Sequence, residues 1–377
     1  MDLTYYRNSD VITGSEDLEN IYTIKNFPVF MGATEQPYEE DQFVDMCFQV
    51  SKSSGMVQIN PLVNLNVVYQ SSHNPGTIGQ IWKDHHKALS DFIMEFDKKT
   101  ILEIGGYSGI LANHCLSSNP EINWTIIDPH VKSFDEKIHV INDFFDEKFS
   151  SSFQYDLIVH SHLIEHVIDI KSFMSTCHKN LNDNGYMIFS LPNLNLFIEK
   201  KLTNCLNFEH TFYIDEFFLS KLFEIHGFEL INKKYYDRCY SIFYCVKKSS
   251  NFKTVLDDSK YDEYKNMFLK YFEDINNFII DANKKFETEK DIFVFGGHVT
   301  SQFLLCLGLD KDRITYLLDN DPKKQDKRLY GTDLIIKSPE ILSNYQSPLL
   351  VLKNSLFDEE IKQQILKINK DVRILSF

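Results

Sequence analysis

The sequence predicts an α/β protein. A mostly parallel central sheet carries helices on both faces, a small unit precedes it, and a second, smaller α/β unit comes after it. Three observations predict this. Strand-like and helix-like runs alternate between residues 86 and 247, as expected of parallel strands joined by crossover helices. Within them, Thr100-Ile-Leu-Glu-Ile-Gly-Gly-Tyr-Ser-Gly109 places a glycine turn between a buried strand and a helix. A strand, a glycine turn, a helix and another strand recur in Ile292-Phe-Val-Phe-Gly296-Gly297 through Asp319.

Residues 1–85 form the first block. They show only short strand-like runs, Phe27–Phe30, Met56–Ile59 and Leu65–Tyr69, too little periodic structure for a large core of their own. This block is expected to pack on the second one. In that second block, 86–247, strands are predicted at Ile101–Ile104, Trp124–Ile127, Ile138–Ile141, Leu157–His160 and Tyr186–Leu191. Helices are predicted at Gly109–Leu116, Ile170–Leu181 and Ile214–His226, the last stopping at Gly227, a residue suited to a left-handed cap. Phe228–Lys234 and Cys239–Val246 read as a closing pair of strands. The third block, 248–377, opens with a long amphipathic run, Tyr261–Phe286, before strands near 292, 314, 348 and 372.

Composition narrows the function classes. The formal net charge is −15 and no basic block occurs, so a nucleic-acid substrate is not expected. No apolar run approaches the roughly 18 residues that span a bilayer, and Met1–Asp10 lacks the basic end and apolar core of a secretory leader. A cytoplasmic protein with no membrane insertion and no obligate protein partner is the expectation. The seven cysteines form no C-x-x-C pair and are read as reduced, mostly buried thiols.

The glycine turn is not the dinucleotide fingerprint, because Tyr107 stands where G-x-G-x-x-G requires its second glycine. What remains is Glu-x-Gly-x-x-x-Gly. Gly105, Gly106 and Gly109 permit a tight turn and close backbone approach to a ligand. Glu103 can orient that turn or meet an ammonium, and Asp128, closing the next strand, is placed to accept bonds from ribose hydroxyls. These features resemble the S-adenosylmethionine-dependent methyltransferases of the Rossmann type, and the closing strand pair fits the reversed last strand of that class. The resemblance implies S-adenosyl-L-methionine as cofactor.

Taken over nearly the whole chain, the three blocks resemble the nucleotide-sugar C-methyltransferase family, which combines a small zinc domain, a methyltransferase fold and a C-terminal Rossmann-like domain. The likeness runs through Tyr69-Gln-Ser-Ser-His-Asn-Pro-Gly-Thr77, Glu103–Gly109, Glu209-His210 and Asp319-Asn-Asp-Pro-Lys-Lys-Gln325. It implies a nucleotide-linked keto-sugar as substrate and His210, supported by Glu209, as the base that removes a proton beside the ketone. An alternative for that pair is a capping carboxylate with an exposed histidine. The resemblance also implies that Tyr69 closes over the cofactor, that Asp143 meets the adenine amino group with Phe144 stacked on the base, and that His160 or Ser161 contacts the cofactor. A packing aromatic at Tyr69 and a surface carboxylate at Asp143 remain alternatives.

Two departures stand out. The zinc thiolates are replaced in Ser51-Lys-Ser-Ser54-Gly-Met-Val-Gln58, so no metal is expected there. The catalytic loop carries Asn207 in place of tyrosine, which leaves O- or N-methylation of a related sugar, or a non-catalytic binding protein, as alternatives. Tyr213, one helical turn on, is a candidate substitute. His160-Ser-His-Leu-Ile-Glu-His166 is not expected to bind metal, since no third and fourth ligand accompany it. Gly296-Gly297-His298 and the Lys323-Lys324 pair read either as a phosphate cradle or as a plain turn beside a solvated charge cluster.

Overall fold

The computed structural model describes residues 2–68, 80–131, 136–253, 258–353 and 357–376. Tyr69 lies outside the described residues. The N-terminal segment is more regular than its sequence suggests. Strands β1 (Leu18–Pro28), β2 (Phe43–Ser51) and β3 (Val57–Asn60) pair antiparallel in that order. Register shifts at Asn20/Tyr22 and Ile24/Phe27 interrupt β1, which blurs the two-residue alternation that marks a strand. Leu65–Val68, expected to begin a strand, is instead a short helix, so the β-branched residues there do not decide the local structure. At Ser51–Ser54 the hydroxyls hold the turn. Ser51 Oγ donates to Asp17 Oδ1 (2.9 Å) and accepts from the Ser54 N–H (3.2 Å), while Ser54 Oγ accepts from the Met56 N–H (3.0 Å).

Helix α1 (Gln80–Met94) leads into the central sheet. Its parts, in chain order, are β4 (Thr100–Ile104), α2 (Ile110–Ser118), β5 (Asn123–Ile127), β6 (Ile138–Ile141), β7 (Tyr155–Ser161), α3 (Ile170–Asn180) and β8 (Leu181–Pro192). The chain then makes a two-residue strand, β9 (Phe212–Tyr213), helix α4 (Glu216–Ile225), and the strands β10 (Phe228–Tyr236) and β11 (Ser241–Lys248). The sheet order is β10-β11-β8-β7-β4-β5-β6. From β8 to β6 every pairing is parallel, and β11 runs antiparallel to both neighbours. This is the reversed closing strand that the sequence predicts. Chain order reverses between β4 and β7, which makes their carboxyl ends the crevice of the sheet.

Local signals place the helices. Asp169 and Asp215 cap α3 and α4 by accepting from the Ser172 N–H, and from those of Phe217 and Phe218. Gly227, at φ +70°, ends α4 as its sequence position predicts.

Strand β9 leaves the central unit and extends the N-terminal sheet, with Phe212 opposite Gln58 and Tyr213 opposite Val57. Helix α5 (Tyr261–Phe286) then lays an aromatic face over that sheet. Tyr22 stacks on Phe272 at 3.8 Å, and Phe48 meets the same ring edge-on at 4.9 Å. The resulting apolar core is continuous from the N-terminal sheet through α5 to the last unit. That unit contains β12 (Ile292–Phe295), α6 (Val299–Cys306), β13 (Tyr316–Leu318), β14 (Ile336–Lys337), β15 (Leu349–Leu352) and β16 (Arg373–Ser376). Its sheet is all parallel, in the order β14-β13-β12-β15-β16. No helix among the described residues is long and apolar enough to cross a membrane.

First and last thirds are also joined directly. Ala33–Thr34 pairs with Arg328–Leu329, and the Arg328 guanidinium gives Asp41 two bonds, Nη1 to Oδ2 (2.6 Å) and Nη2 to Oδ1 (2.7 Å). The Gly331 N–H adds a third (2.7 Å), and the Asp41 side chain is fully buried. Arg328→Ala leaves that carboxylate without its counter-ion. It should cost about 3 kcal/mol, read as a lower urea midpoint at unchanged m-value.

Candidate active site

The turn after β4 is built as the glycine spacing requires. Gly105 and Gly109 lie at φ +75° and +64°, where a side chain would strain the backbone. Gly106 is needed for another reason, since a Cβ there would come within 2.8 Å of the Glu103 carboxyl carbon. Asp128 ties the turn to the end of β5. The Tyr107 N–H donates to its Oδ2 (3.1 Å) and the His130 N–H to its Oδ1 (2.7 Å), while the Gly105 N–H bonds the Ile127 carbonyl (3.0 Å). Each carboxylate oxygen keeps lone-pair capacity for a ligand hydroxyl. Glu103 does not face outward. It is buried in the strand and accepts from the Trp124 indole N–H (2.9 Å), and burial pushes its carboxyl up to about 7.

Along the same edge, Asp143 and Phe144 follow β6 and are both exposed, with Asp143 Oδ1 accepting from the Phe144 N–H (2.8 Å). Ser161 ends β7, and its hydroxyl pairs with that of Ser190 (3.0 Å). His160 has a different place from the one expected. Its side chain is completely buried, stacked on Phe189 at 4.7 Å and edge-on to Phe173, with no hydrogen bond to either ring nitrogen. Burial lowers it to about 3. The pleat turns this side chain into the core layer, against Phe173 and Phe189.

Beyond β7 the chain folds back over the glycine turn. Leu163 lies 3.5 Å from where a Cβ on Gly105 would sit. A short 3-10 turn, Ile164–His166, follows, and the loop before β9 docks onto it. The Thr211 N–H donates to the Glu165 carbonyl (2.9 Å), Thr211 Oγ1 to the Val167 carbonyl (2.6 Å), and Arg7 clamps both sides by donating to the Ile168 (3.0 Å) and Thr211 (2.6 Å) carbonyls. Docking places the His210 ring edge-on to His166, with ring centroids 4.7 Å apart. Glu209 Oε2 lies 3.9 Å from His166 Nδ1.

Burial dominates the electrostatics here. It lowers His210 to about 3, with His162 adding repulsion, and raises Glu209 to about 8, with the Glu165 charge adding to the effect. At neutral pH the imidazole is therefore uncharged with a lone pair available, and the Glu209 carboxyl tends to hold its proton. Asn207 accounts for itself locally, since its Oδ1 accepts from the Glu209 N–H (2.7 Å) and so shapes the loop. Tyr213 does not replace the missing tyrosine in the simple way its spacing suggests. Its ring is buried between Phe48 and Phe268, and its hydroxyl has no hydrogen-bond partner among the described residues, although it lines the same small cleft as His210 and Glu165.

The sequence reading missed Glu165 and His162. Both belong to the same histidine-rich run, but only the fold shows that Glu165 points toward the loop carrying His210.

Comparison with known proteins finds two family matches. The profile of a methyltransferase domain matches residues 80–233, and that of the C-methyltransferase C-terminal domain matches residues 246–373. Among solved structures, the plantazolicin methyltransferase BpumL in complex with a pentazolic desmethylPZN analog and SAH is similar, with 13% identity and a TM-score of 0.37 over 46% of this chain and 86% of its own. The N-methyltransferase NodS from Bradyrhizobium japonicum WM9 shares 15% identity, with a TM-score of 0.35 over 46% of this chain and 99% of its own. No curated protein matches the chain.

Glu103 provides a test of the buried strand end. Below its usual pKa of 4.5 the carboxyl is neutral in both folded and unfolded chains; between 4.5 and about 7 only the unfolded chain gives up the proton. Stability is therefore lost as pH rises through that window, by about 3 kcal/mol. Glu103→Gln, which keeps an acceptor for Trp124, should lack this loss and exceed the wild type in urea stability at pH 8.

Proposed function

We propose that this chain, an S-adenosylmethionine-dependent methyltransferase, methylates a carbon atom of a nucleotide-linked keto-sugar, with His210 as general base. The observation that carries this reading is the docking of the His210 loop on the 3-10 turn that follows β7, the same segment whose Leu163 covers Gly105 of the glycine turn. The cofactor, when bound, supplies an electrophilic methyl group on a sulfonium. Gly105, Gly106 and Gly109 let the backbone approach it, and Asp128 is placed to accept from its ribose. Asp143 and Phe144 stand exposed at the neighbouring strand end, where a base could lie.

The protein's remaining tasks are to align the acceptor and to remove one proton. A half-buried imidazole lowered to about 3 is a weak base, so this step depends on the adjacent ketone to acidify the carbon and on nearby negative charge to hold the imidazolium. Once protonated, His210 faces His166 edge-on, and His166 lies between two acidic side chains, Glu165 (Nε2 to Oε1, 3.9 Å) and Glu209 (Nδ1 to Oε2, 3.9 Å), whose ionisation the new positive charge favours. The distances support a supporting role for Glu209 through His166.

The last unit supports a nucleotide-bearing substrate. Gly296 and Gly297 end β12, and Lys353 follows β15, so both stand at the point where strand order reverses in the second sheet. Lys353 is buried, donates to the Lys201 carbonyl of the central unit (2.9 Å), and is lowered to about 7 by burial. A diphosphate lying between the two units would favour the charged form of this amine. Lys324 is committed elsewhere, bonded to Asp319 (3.0 Å), and Lys323 is exposed.

One observation favours O- or N-methylation of a related sugar. No tyrosine occupies the loop position held by Asn207, and the Tyr213 hydroxyl sits in the core. Incubating the protein with S-adenosylmethionine and a panel of nucleotide-sugars should yield a product heavier by one CH₂, with a new carbon-bound methyl resonance by NMR; an O-methyl or N-methyl resonance would favour the second reading. His210→Asn should abolish turnover while leaving calorimetric affinity for the cofactor within about twofold. Unchanged turnover removes His210 from the mechanism.

A further inference from the structure

The run from His162 to His166 and the loop carrying Glu209 and His210 meet around one buried carboxylate. Glu165 is 2% exposed, and neither of its oxygens has a hydrogen bond. Its nearest basic neighbours are His162 Nδ1, 3.4 Å from Oε1, and His166 Nε2, 3.9 Å from the same oxygen. Among the described residues, no lysine or arginine forms an ion pair with it. A buried acceptor left in this way costs free energy unless something positive reaches it.

Histidine ring nitrogens from His166 and His210 and a carboxylate oxygen from Glu165 all lie within 4.8 Å of one another. A tetrahedral zinc ion with ligands at about 2.0–2.1 Å needs donors roughly 3.3 Å apart, so closing on an ion asks for side-chain movements of about 1 Å. The surroundings resemble a prepared outer shell. If His166 Nε2 takes the ion, its Nδ1 faces Glu209 Oε2 at 3.9 Å, in the carboxylate–histidine–metal arrangement that fixes a ligand's tautomer. Glu165 is backed in turn by His162, whose other nitrogen, Nε2, lies 2.9 Å from Ser241 Oγ.

We propose that Glu165, His166 and His210 form a binding site for one zinc-class dication, and that a bound ion silences methyl transfer by occupying the lone pair of His210. Two imidazoles and one carboxylate are a ligand set that zinc accepts, with a fourth position left for water. The sequence reading found no third ligand for this histidine run; the fold supplies it from a loop 44 positions further on. The binding half stands on geometry alone. The silencing half rests on His210 being the base.

The test uses the full chain, freed of metal by chelation and dialysis. Zinc titrated by calorimetry should bind at one equivalent, and cobalt(II) should give the visible spectrum of a four-coordinate nitrogen/oxygen site. Glu165→Gln, which keeps the shape of the side chain, should weaken zinc binding at least 100-fold, and His166→Asn should do the same. Zinc should stop turnover of the wild type, and the zinc concentration that halves the rate should rise at least 100-fold in Glu165→Gln, each protein being compared with its own metal-free rate. Absence of zinc uptake, or uptake unchanged in both variants, overturns the site. Turnover that is lost on chelation and restored by zinc overturns the silencing role while leaving the binding result to stand by itself. Because calorimetry and the cobalt spectrum need no substrate, failure of the methyl-transfer reading is distinguishable from failure of this one.

Discussion

Asp128 is the constraint on which the crevice depends. A parallel sheet opens all its strand ends along one edge, but the turn leaving β4 would have many conformations without an anchor. One Asp128 oxygen takes the Tyr107 N–H of the turn and the other fixes the carboxylate to its own loop through the His130 N–H, and with the Gly105 N–H on the Ile127 carbonyl the turn is held in place before any ligand arrives. The last unit repeats the device. The Gly296 N–H bonds the Leu318 carbonyl, the Gly297 N–H bonds Asp319 Oδ2, and the Asp321 N–H bonds Asp319 Oδ1. No sequence period links the two units, yet both solve the same problem with a carboxylate that closes the second strand.

Around that crevice, low dielectric rather than pairing sets the protonation states. The histidines at 160 and 210 are held neutral, and the carboxyls at 103 and 209 are pushed toward neutrality. A methyltransferase that receives a cationic methyl donor gains from neutral groups around the acceptor, because charge is then added by the ligand itself. The charge balance then changes when the ligands enter, and not before.

Much of the scaffold was legible because buried parallel strands are continuous apolar runs. Ile101–Ile104, Trp124–Ile127 and Ile138–Ile141 are each found within β4, β5 and β6. The amphipathic run Tyr261–Phe286 matches α5 at both ends, since an aromatic stripe at helical spacing fits no strand period. Strand β2 is not among the predicted runs, although Val44, Met46, Phe48 and Val50 alternate with Asp45, Cys47 and Gln49 in the two-residue period of a half-buried strand. At the site, Asp128 and the three glycines were readable from local backbone needs. His160, Tyr213 and Glu165 were not, because their side-chain directions are set by the pleat of β7, by β9 joining a distant sheet, and by the loop docking on Thr211. Asn207 could have been read further, since asparagine two residues before a backbone N–H is itself a turn signal.

Strand β9 has a mechanical meaning. It begins two residues after His210 and belongs to a sheet otherwise built from the first 60 residues. The imidazole is therefore carried on a lever whose fulcrum is the amino-terminal layer. The position of the imidazole relative to the glycine turn is thus set by how the amino-terminal sheet packs on the central one, so a substitution in the first 60 residues can displace it without touching the loop itself.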